Sequence, residues 1–232
     1  MCGRFVMNHP PELLQRWYEA ARMPEFTSRF NIAPGQTIHV LRDMEGSRIF
    51  STMRWGFIPS WADDAGNAPM LHNARAESVA EKPMFRHAFK SRRCLIPASG
   101  YYEWRTDPGR KTRRPYYLSL PDGAPMSFAG LWELTTTASG EQVETCAVVT
   151  TKANALIEPI HHRMPVVLDR ESWPLWLSRD AQTAALLVLL RAYPAERMQM
   201  WEVDSAVNLT DNDHCGLYAP RAGRAGVQAA ML

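Results

Sequence analysis

Long hydrophobic runs are absent from this sequence of 232 residues. The longest apolar candidate, AALLVLLRAY, is interrupted by Arg191, whereas a helix that crosses a membrane needs about 20 apolar residues in succession. The start of the chain also lacks the basic segment followed by an apolar segment that characterises secretory signal peptides. These two absences predict a protein that stays in the cytoplasm and does not contact a membrane.

Cysteine is scarce and widely spaced: Cys2, Cys94, Cys146 and Cys215 include no Cys-x-x-Cys pair. Structural zinc sites and disulfide frameworks depend on closely or regularly spaced cysteines. We therefore expect neither, and no metal or other cofactor is predicted. Cys94 and Cys146 lie in apolar runs, which predicts small buried side chains. Cys2 directly follows the initiator methionine and does not share that setting.

The chain has little net charge and few lysines. Its formal net charge is +2, and only four of its 26 basic residues are lysine, so 22 are arginine. Bulk charge therefore does not predict nucleic-acid binding, although the planar arginine fork suits phosphate. A GC-rich genome would give the same arginine bias. The arginine-rich stretches 86–93 and 105–114 could bind phosphate or be solvated loops.

Short apolar runs separated by turn residues predict a fold rich in strands. We predict strands in RFNIAPGQTIHVL, RIFSTMRWGFIPSW, RCLIPASGYYEWR, PYYLSL, MSFAGLWEL, ETCAVVTT and MQMWEV, with DPG at a hairpin tip. Helices are predicted in NHPPELLQRWYEAAR, PMFRHAFK, ESWPLWLS and DAQTAALLVLLRAY. No βαβ alternation is present, so we expect an α+β fold: a single compact domain with a mostly antiparallel, barrel-like sheet and peripheral helices. The domain is predicted to span residues 1–212, and residues 213–232 to form a mobile C-terminal tail.

Four short stretches place polar side chains among apolar ones: MCGRF, LHNARAES, SGYYEW and IHHRMP. If Met1 is removed, Cys2 presents an α-amine with an ordinary pKa of about 7.7–8.0 and a thiol with one of about 8.5. Such a 1,2-aminothiol reacts with an aldehyde in two stages, since the amine forms an imine and the thiol then closes a five-membered ring. The first stretch therefore predicts a nucleophile for carbonyl chemistry.

The other stretches supply groups that this chemistry needs. Glu103 and His161 can move protons, and Asn73 can orient the amine or a substrate oxygen. Arg4 and Arg75 can hold a phosphate beside the reacting carbon. Structural interpretations remain open for each: a turn residue at Asn73, an ion pair in the core at Glu103, and a hydrogen-bonded structural ring at His161.

The order of the motifs resembles the SRAP (SOS-response-associated peptidase) family. The motifs that carry the resemblance are MCGRF, RFNIAPGQ, WGFIPSW, HNARAES, RCLIPASGYYEW, FAGLWE, IHHRMPVVL and VDSAVN, which follow one another from residue 2 to about residue 208. The resemblance implies a protein that senses abasic sites in single-stranded DNA. It implies a covalent thiazolidine crosslink through the N-terminal cysteine, which shields the site from strand cleavage.

The resemblance also implies roles for individual residues of this chain. Cys2 is the nucleophile and uses both its amine and its thiol. Asn73 positions the cysteine and the open-ring sugar, and Glu103 assists proton transfer. His161 acts on the sugar hydroxyl during ring opening and in reversal of the link; the adjacent His162 lies where the family pattern is loose. Contacts with DNA phosphates or bases are implied for Arg4, Pro34, Trp61, Arg75, Phe85 and Arg163. The implied partner is single-stranded DNA containing abasic sites, bound by a monomer that joins the nucleoid.

Two other functions remain open at this stage. Cys2 could be the nucleophile of an N-terminal-nucleophile peptidase that uses its own amine as base and removes Met1, and a lyase-like activity is also compatible with the resemblance. Alternatively, the chain could be a non-covalent single-strand-binding module in which Cys2 is incidental. A metal site built from His161, His162 and a cysteine is disfavoured, because adjacent histidines on a strand point to opposite faces.

Overall fold

The computed structural model describes residues 2–62, 70–109, 112–136, 139–221 and 228–229. These residues form strands and α-helices in the following order: β1 (Phe5–Met7), α1 (Pro11–Tyr18), β2 (Arg29–Ile32), β3 (Thr37–Met44), β4 (Ser47–Trp55), β5 (Asn73–Arg75), α2 (Arg86–Ser91), β6 (Arg93–Ala98), β7 (Gly100–Thr106), β8 (Arg113–Ser119), β9 (Met126–Thr136), β10 (Gln142–Lys152), β11 (Arg163–Pro165), α3 (Trp173–Leu177), α4 (Thr183–Leu189), β12 (Gln199–Glu202) and β13 (Gln228–Ala229). Several single turns of 3₁₀-helix connect them.

Five strands close into a barrel-like sheet in the order β10, β4, β3, β6, β9, with β9 pairing back to β10. Most of its pairs are antiparallel, but β10 runs parallel to β4. The far end of β10 carries two short strands, β5 in parallel and β11 in antiparallel orientation. Closing a sheet removes its exposed edges. The predicted α+β fold with a mostly antiparallel, barrel-like sheet is confirmed.

A second, antiparallel sheet has the order β13, β12, β8, β7, β1, β2. Strands β7 and β8 form the predicted hairpin, with Thr106 opposite Arg113 near its tip. Strand β1 lies between β7 and β2, so the N-terminal segment is an inner strand rather than an edge. This placement fixes where residue 2 lies.

Aromatic side chains join the two sheets. Phe5 on β1 packs edge-on against Trp55 of β4, with ring centroids 5.2 Å apart, and against Phe128 of β9 at 6.2 Å. All three rings are buried, and full burial of a side chain of this size contributes about 1.5–3 kcal/mol. Cys94 and Cys146 are also completely buried, as their apolar surroundings predict.

The helices lie outside the barrel and are shorter than their sequence patterns. Helix α1 begins at Pro11 and ends at Tyr18, because Glu19 takes a left-handed conformation with φ of 52° that stops the helix. Helix α3 packs on β6, where the Trp176 indole donates to the carbonyl oxygen of Cys94 at 2.8 Å. No helix among the described residues is long and apolar enough to cross a membrane.

The segment after residue 212 begins in contact with the domain. Asp213 accepts a hydrogen bond from Arg29 at 2.6 Å, and Leu217 is buried in a cluster that includes Val6 and Tyr102. Residues 222–227 and 230–232 of the predicted mobile tail lie outside the described residues. The predicted domain boundary at residue 212 therefore stays a prediction. Asp213 and Leu217, at the start of the predicted tail, contact the domain.

Candidate active site

Cys2 lies just before β1 and is completely buried. Two hydrogen bonds hold the N-terminal backbone: Tyr102 N–H donates to the carbonyl oxygen of Arg4 at 3.0 Å, and the Asn73 side-chain amide donates to the carbonyl oxygen of Cys2 at 2.9 Å. The first partner belongs to the second sheet and the second to the strands at the end of the barrel. Residue 2 is therefore fixed where the two sheets meet.

Asn73 has a second polar atom directed into the protein. Strand β5 aligns Asn73 with Val148 of β10 in parallel register. The Asn73 amide nitrogen binds the Cys2 backbone, while its Oδ1 atom is buried with no hydrogen-bond partner in the described part of the chain. Buried acceptors are rarely left without a donor. The Oδ1 atom can therefore accept a hydrogen bond from an amine or hydroxyl group that enters the site.

Glu103 is a buried carboxyl group on β7. Burial raises its pKa above the ordinary range of a carboxyl, which keeps a proton on it at a higher pH than usual. Burial also raises the pKa of the Cys2 thiol, and the nearby Glu103 raises it further. The thiol is thus neutral at rest, so it needs a proton acceptor at the moment it attacks.

His161 lies between β10 and β11 as a neutral ring. Burial is the largest cause that lowers the pKa of His161 to about 4, and nearby positive charge, including that of Arg113, lowers it further. The backbone N–H of Arg163 donates to Nδ1 of His161 at 2.9 Å. Nδ1 also lies 3.3 Å from the carbonyl oxygen of Arg163, and the shorter contact, in which Nδ1 accepts, favours the tautomer with the proton on Nε2. His161 can therefore act as a hydrogen-bond donor at neutral pH.

A surface cavity of about 530 Å³ is lined by both Glu103 and His161. It is lined by Gly3, Arg4, Glu103, Trp104, Arg113, His161 and Asn208. Trp104, Arg113 and Asn208 have no role predicted from the sequence, although Trp104 belongs to SGYYEW and Arg113 to the arginine-rich stretch 105–114. Only the structure brings them together, because the VDSAVN segment is distant in sequence from the β7–β8 hairpin.

Four of the predicted DNA-binding residues are accessible. Arg4 lines the cavity and is anchored by hydrogen bonds from its guanidinium to Asn31 at 2.7 Å and to the carbonyl oxygen of Val207 at 2.9 Å. Pro34 and Arg75 are exposed. Trp61 is 60% exposed, which is unusual for a side chain of its size.

The other two predicted DNA-binding residues lie inside the fold. Arg163 is buried and binds Glu77 with two hydrogen bonds of 2.6 and 2.9 Å, while it also donates to the carbonyl oxygen of Thr150 at 2.6 Å. Phe85 is buried and its ring lies 5.2 Å from that of Phe57. Both side chains are buried in this structure, so a direct contact of Arg163 or Phe85 with DNA stays a prediction.

The described residues offer no set of ligands for a metal ion. They contain no group of three or more histidine, cysteine, aspartate or glutamate side chains that could hold an ion. The rings of His161 and His162 stack on each other, with centroids 4.4 Å apart, rather than converging on a common point.

Over nearly its whole length, the chain is similar to proteins of one family. The sequence profile described as "SOS response associated peptidase (SRAP)" matches residues 1–210. The abasic site processing protein YoqW of Bacillus subtilis is 38% identical over 219 residues, which cover 92% of this chain and 96% of that protein. The abasic site processing protein YedK of Escherichia coli is 28% identical over 228 residues, covering 95% of this chain and 100% of its own.

Solved structures agree with this relationship. An X-ray structure of a protein from Bacteroides thetaiotaomicron superposes with a TM-score of 0.81 at 25% identity and covers 88% of this chain and 93% of that chain. A second, from Bordetella bronchiseptica, has a TM-score of 0.77 at 26% identity, with 88% and 100% covered. With the profile matching nearly the full length and the same architecture in both structures, this chain belongs to the SRAP family.

Proposed function

We propose that this protein processes abasic sites in single-stranded DNA by forming a covalent thiazolidine crosslink through Cys2 after removal of Met1. The observation that carries the proposal is the position of Cys2: it is held by Asn73 and lies close to Glu103, which shares a surface cavity with His161. Membership of a family whose relatives are named abasic site processing proteins supports the same substrate class.

The atoms and electrons of the proposed reaction balance without an oxidant or a metal ion. The free amine of Cys2 adds to the C1′ aldehyde of the open-ring sugar, and one water leaves as the imine forms. The Cys2 sulphur then adds to the imine carbon, while the thiol proton is transferred through the site to the nitrogen. The product is a five-membered thiazolidine ring, and the overall reaction releases one water.

Three side chains have separate tasks in this proposal. His161 donates its Nε2 proton in a hydrogen bond to the sugar oxygen and so favours ring opening. Glu103, whose raised pKa suits proton transfer near neutral pH, accepts and returns protons as the amine and the thiol react. Asn73 accepts a hydrogen bond from the amine through its Oδ1 atom.

Exposed arginine and aromatic side chains suit a nucleic-acid backbone without sequence preference. Arg4 and Arg75 can bind phosphates, and the exposed ring of Trp61 can stack on a flanking base, an interaction that contributes about 1–3 kcal/mol per base. A missing base presents no hydrogen-bonding edge. The proposal therefore predicts recognition of the lesion by its aldehyde and its surroundings rather than by sequence.

The decisive experiment is incubation of the protein with a single-stranded oligonucleotide that contains one abasic site. We expect a band that survives denaturation, and an intact mass equal to the protein without Met1 plus the DNA minus one water. The control is the same oligonucleotide with its abasic aldehyde reduced to an alcohol, which must give no adduct. Absence of an adduct with Met1-processed protein would contradict the proposal and favour a non-covalent binding module or a peptidase.

Arg75 provides a test of the phosphate contacts. We expect Arg75→Ala to weaken binding and to reduce the slope of log affinity against log salt by about 0.7, because one phosphate contact on a single strand releases that share of counterions. The matched control is Arg16→Ala, which removes an equally exposed arginine from α1. Affinities measured by fluorescence anisotropy across a salt series decide the outcome. Equal slopes for the two variants would exclude Arg75 from phosphate binding.

A further inference from the structure

Tyr101 lies beside the candidate site but has no role in the chemistry described so far. It stands two residues before Glu103 on β7, so the two side chains share one face of the strand. Its direct partner across the sheet is Phe5 of β1. The ring is completely buried and meets Phe128 edge-on at 5.8 Å. Tyr101 is thus built into the core directly behind the N-terminus.

The hydroxyl group of Tyr101 has no hydrogen-bond partner within the described residues. Two other buried tyrosines are satisfied: the Tyr18 hydroxyl bonds Ser127 at 2.8 Å, and the Tyr102 hydroxyl donates to the carbonyl oxygen of Phe30 at 2.9 Å. A buried hydroxyl without a partner destabilises a fold. A buried hydroxyl without a partner beside the N-terminus points to a partner that arrives during function.

Two groups of the proposed chemistry, Glu103 and Cys2, lie near Tyr101. Burial is the main cause that raises the pKa of Tyr101, and the nearby Glu103 and Cys2 raise it further. The phenol therefore remains protonated throughout the physiological range and can donate a hydrogen bond. Since both interacting groups become anionic on losing a proton, either would accept such a bond.

The hydrogen-bonding capacity of the two groups of Cys2 shows which of them needs Tyr101 as a donor. The amine of Cys2 is itself a donor and needs acceptors, which Asn73 Oδ1 and the Glu103 carboxylate can supply. A thiolate is only an acceptor and needs a donor. The amide nitrogen of Asn73 gives one of its two hydrogens to the Cys2 carbonyl oxygen, whereas the buried Tyr101 hydroxyl makes no hydrogen bond within the described residues and is free to donate to the sulphur.

We infer that the Tyr101 hydroxyl donates a hydrogen bond to the Cys2 sulphur as the thiol loses its proton for ring closure. This inference rests on the proposed function and adds a catalytic residue to it. The thiol proton passes to the Glu103 carboxylate and then to the thiazolidine nitrogen, while Tyr101 keeps its own proton. Its hydrogen bond stabilises the negative charge that forms on sulphur in an otherwise apolar surrounding.

The test compares Tyr101→Phe with Tyr102→Phe, two changes that each remove one hydroxyl from adjacent positions of β7. We expect Tyr101→Phe to slow thiazolidine formation about tenfold, the size of effect that loss of a hydrogen bond to a charged group produces, while its melting temperature is unchanged or higher. Tyr102→Phe should crosslink at the wild-type rate and melt at a lower temperature, because it loses a satisfied hydrogen bond. Crosslinking by Tyr101→Phe at the wild-type rate would overturn the inference.

A second measurement does not depend on DNA. In Met1-processed protein, the pH dependence of Cys2 alkylation by iodoacetamide is followed from the mass of the N-terminal peptide. Loss of a donor to the thiolate should move the midpoint to higher pH in Tyr101→Phe and leave it unchanged in Tyr102→Phe. Equal midpoints in both variants would refute the hydrogen bond to sulphur. If wild-type protein failed to crosslink abasic DNA, the proposed function would fail, whereas a shifted midpoint would still support the bond.

Discussion

Cys2→Ala is expected to abolish the denaturation-resistant adduct with abasic DNA while most of the non-covalent affinity remains. The substitution leaves an α-amine, which can still form an imine, but it removes the sulphur that closes the ring. An imine hydrolyses readily in water, so no adduct should survive denaturation. Non-covalent binding should persist because the arginines and the exposed Trp61 are untouched. Denaturing gels measure the covalent adduct, and native gels measure the non-covalent affinity.

The matched control for this variant is Cys215→Ala. Cys215 is exposed and lies after residue 212, whereas the other two cysteines are buried in the barrel. Cys215→Ala should crosslink like the wild type. An N-terminal tag that prevents exposure of Cys2 should remove the adduct as completely as Cys2→Ala does. Crosslinking by the tagged, unprocessed protein would show that a different residue is the nucleophile.

Glu103→Gln is expected to slow crosslinking by about 10²-fold or more, the usual contribution of a positioned acid–base group. The amide preserves the shape of the side chain but cannot accept and return a proton. In the wild type, the pH–rate profile should contain a limb that titrates above the ordinary range of a carboxyl, since burial raises the pKa of Glu103. That limb should disappear in the variant. Single-turnover rates measured between pH 5 and pH 8 test both statements.

The effect of Glu103→Gln on folding stability should be opposite in direction to its effect on the crosslinking rate. A carboxyl whose pKa is raised by folding binds its proton more tightly in the folded chain than in the unfolded chain. Its contribution to stability therefore falls as pH rises from the unfolded to the folded pKa. Glu103→Gln removes this cost, so we expect an unchanged or higher melting temperature at pH 7. Glu133→Gln is the control: it breaks a buried carboxylate's ion pair with Arg92 at 2.8 Å, so it should lower the melting temperature and leave crosslinking unaffected. A Glu103→Gln protein that crosslinks normally would remove Glu103 from the mechanism.

Much of the fold could be predicted because its signals are local. Alternating apolar residues and turn residues locate the strands, and the hairpin between β7 and β8 follows from its DPG tip. The parallel pairs of β10 with β4 and β5 could not be predicted, since they join segments that lie about 75–90 residues apart and leave no periodic trace in the sequence. The helix ends were also inaccurate, because a left-handed residue such as Glu19 stops a helix whose pattern continues.

For the candidate site, the sequence predicts which residue types take part but not where each side chain lies. Residue type and motif order identified Cys2, Asn73, Glu103 and His161 as candidates for a shared site, and the structure places them around the N-terminus. The arginines differ: Arg75 and Arg163 both follow polar motif residues, but only Arg75 is exposed, because Glu77 and Thr150 bind Arg163 inside the fold. A sequence shows that a guanidinium is present, but not which carboxylate has already bound it.

The inner position of β1, between β7 and β2, affects how the protein is made. Its neighbour β7 begins at residue 100, so the ribosome adds about 95 residues before the strand that encloses the N-terminus exists. At roughly 5–20 residues per second, this delay lasts about 5–20 seconds. The proposed chemistry requires that Met1 be removed, and we expect its removal during this interval, while the start of the chain is still open. In the folded protein Cys2 is completely buried, so we expect translation to set the time available for that step.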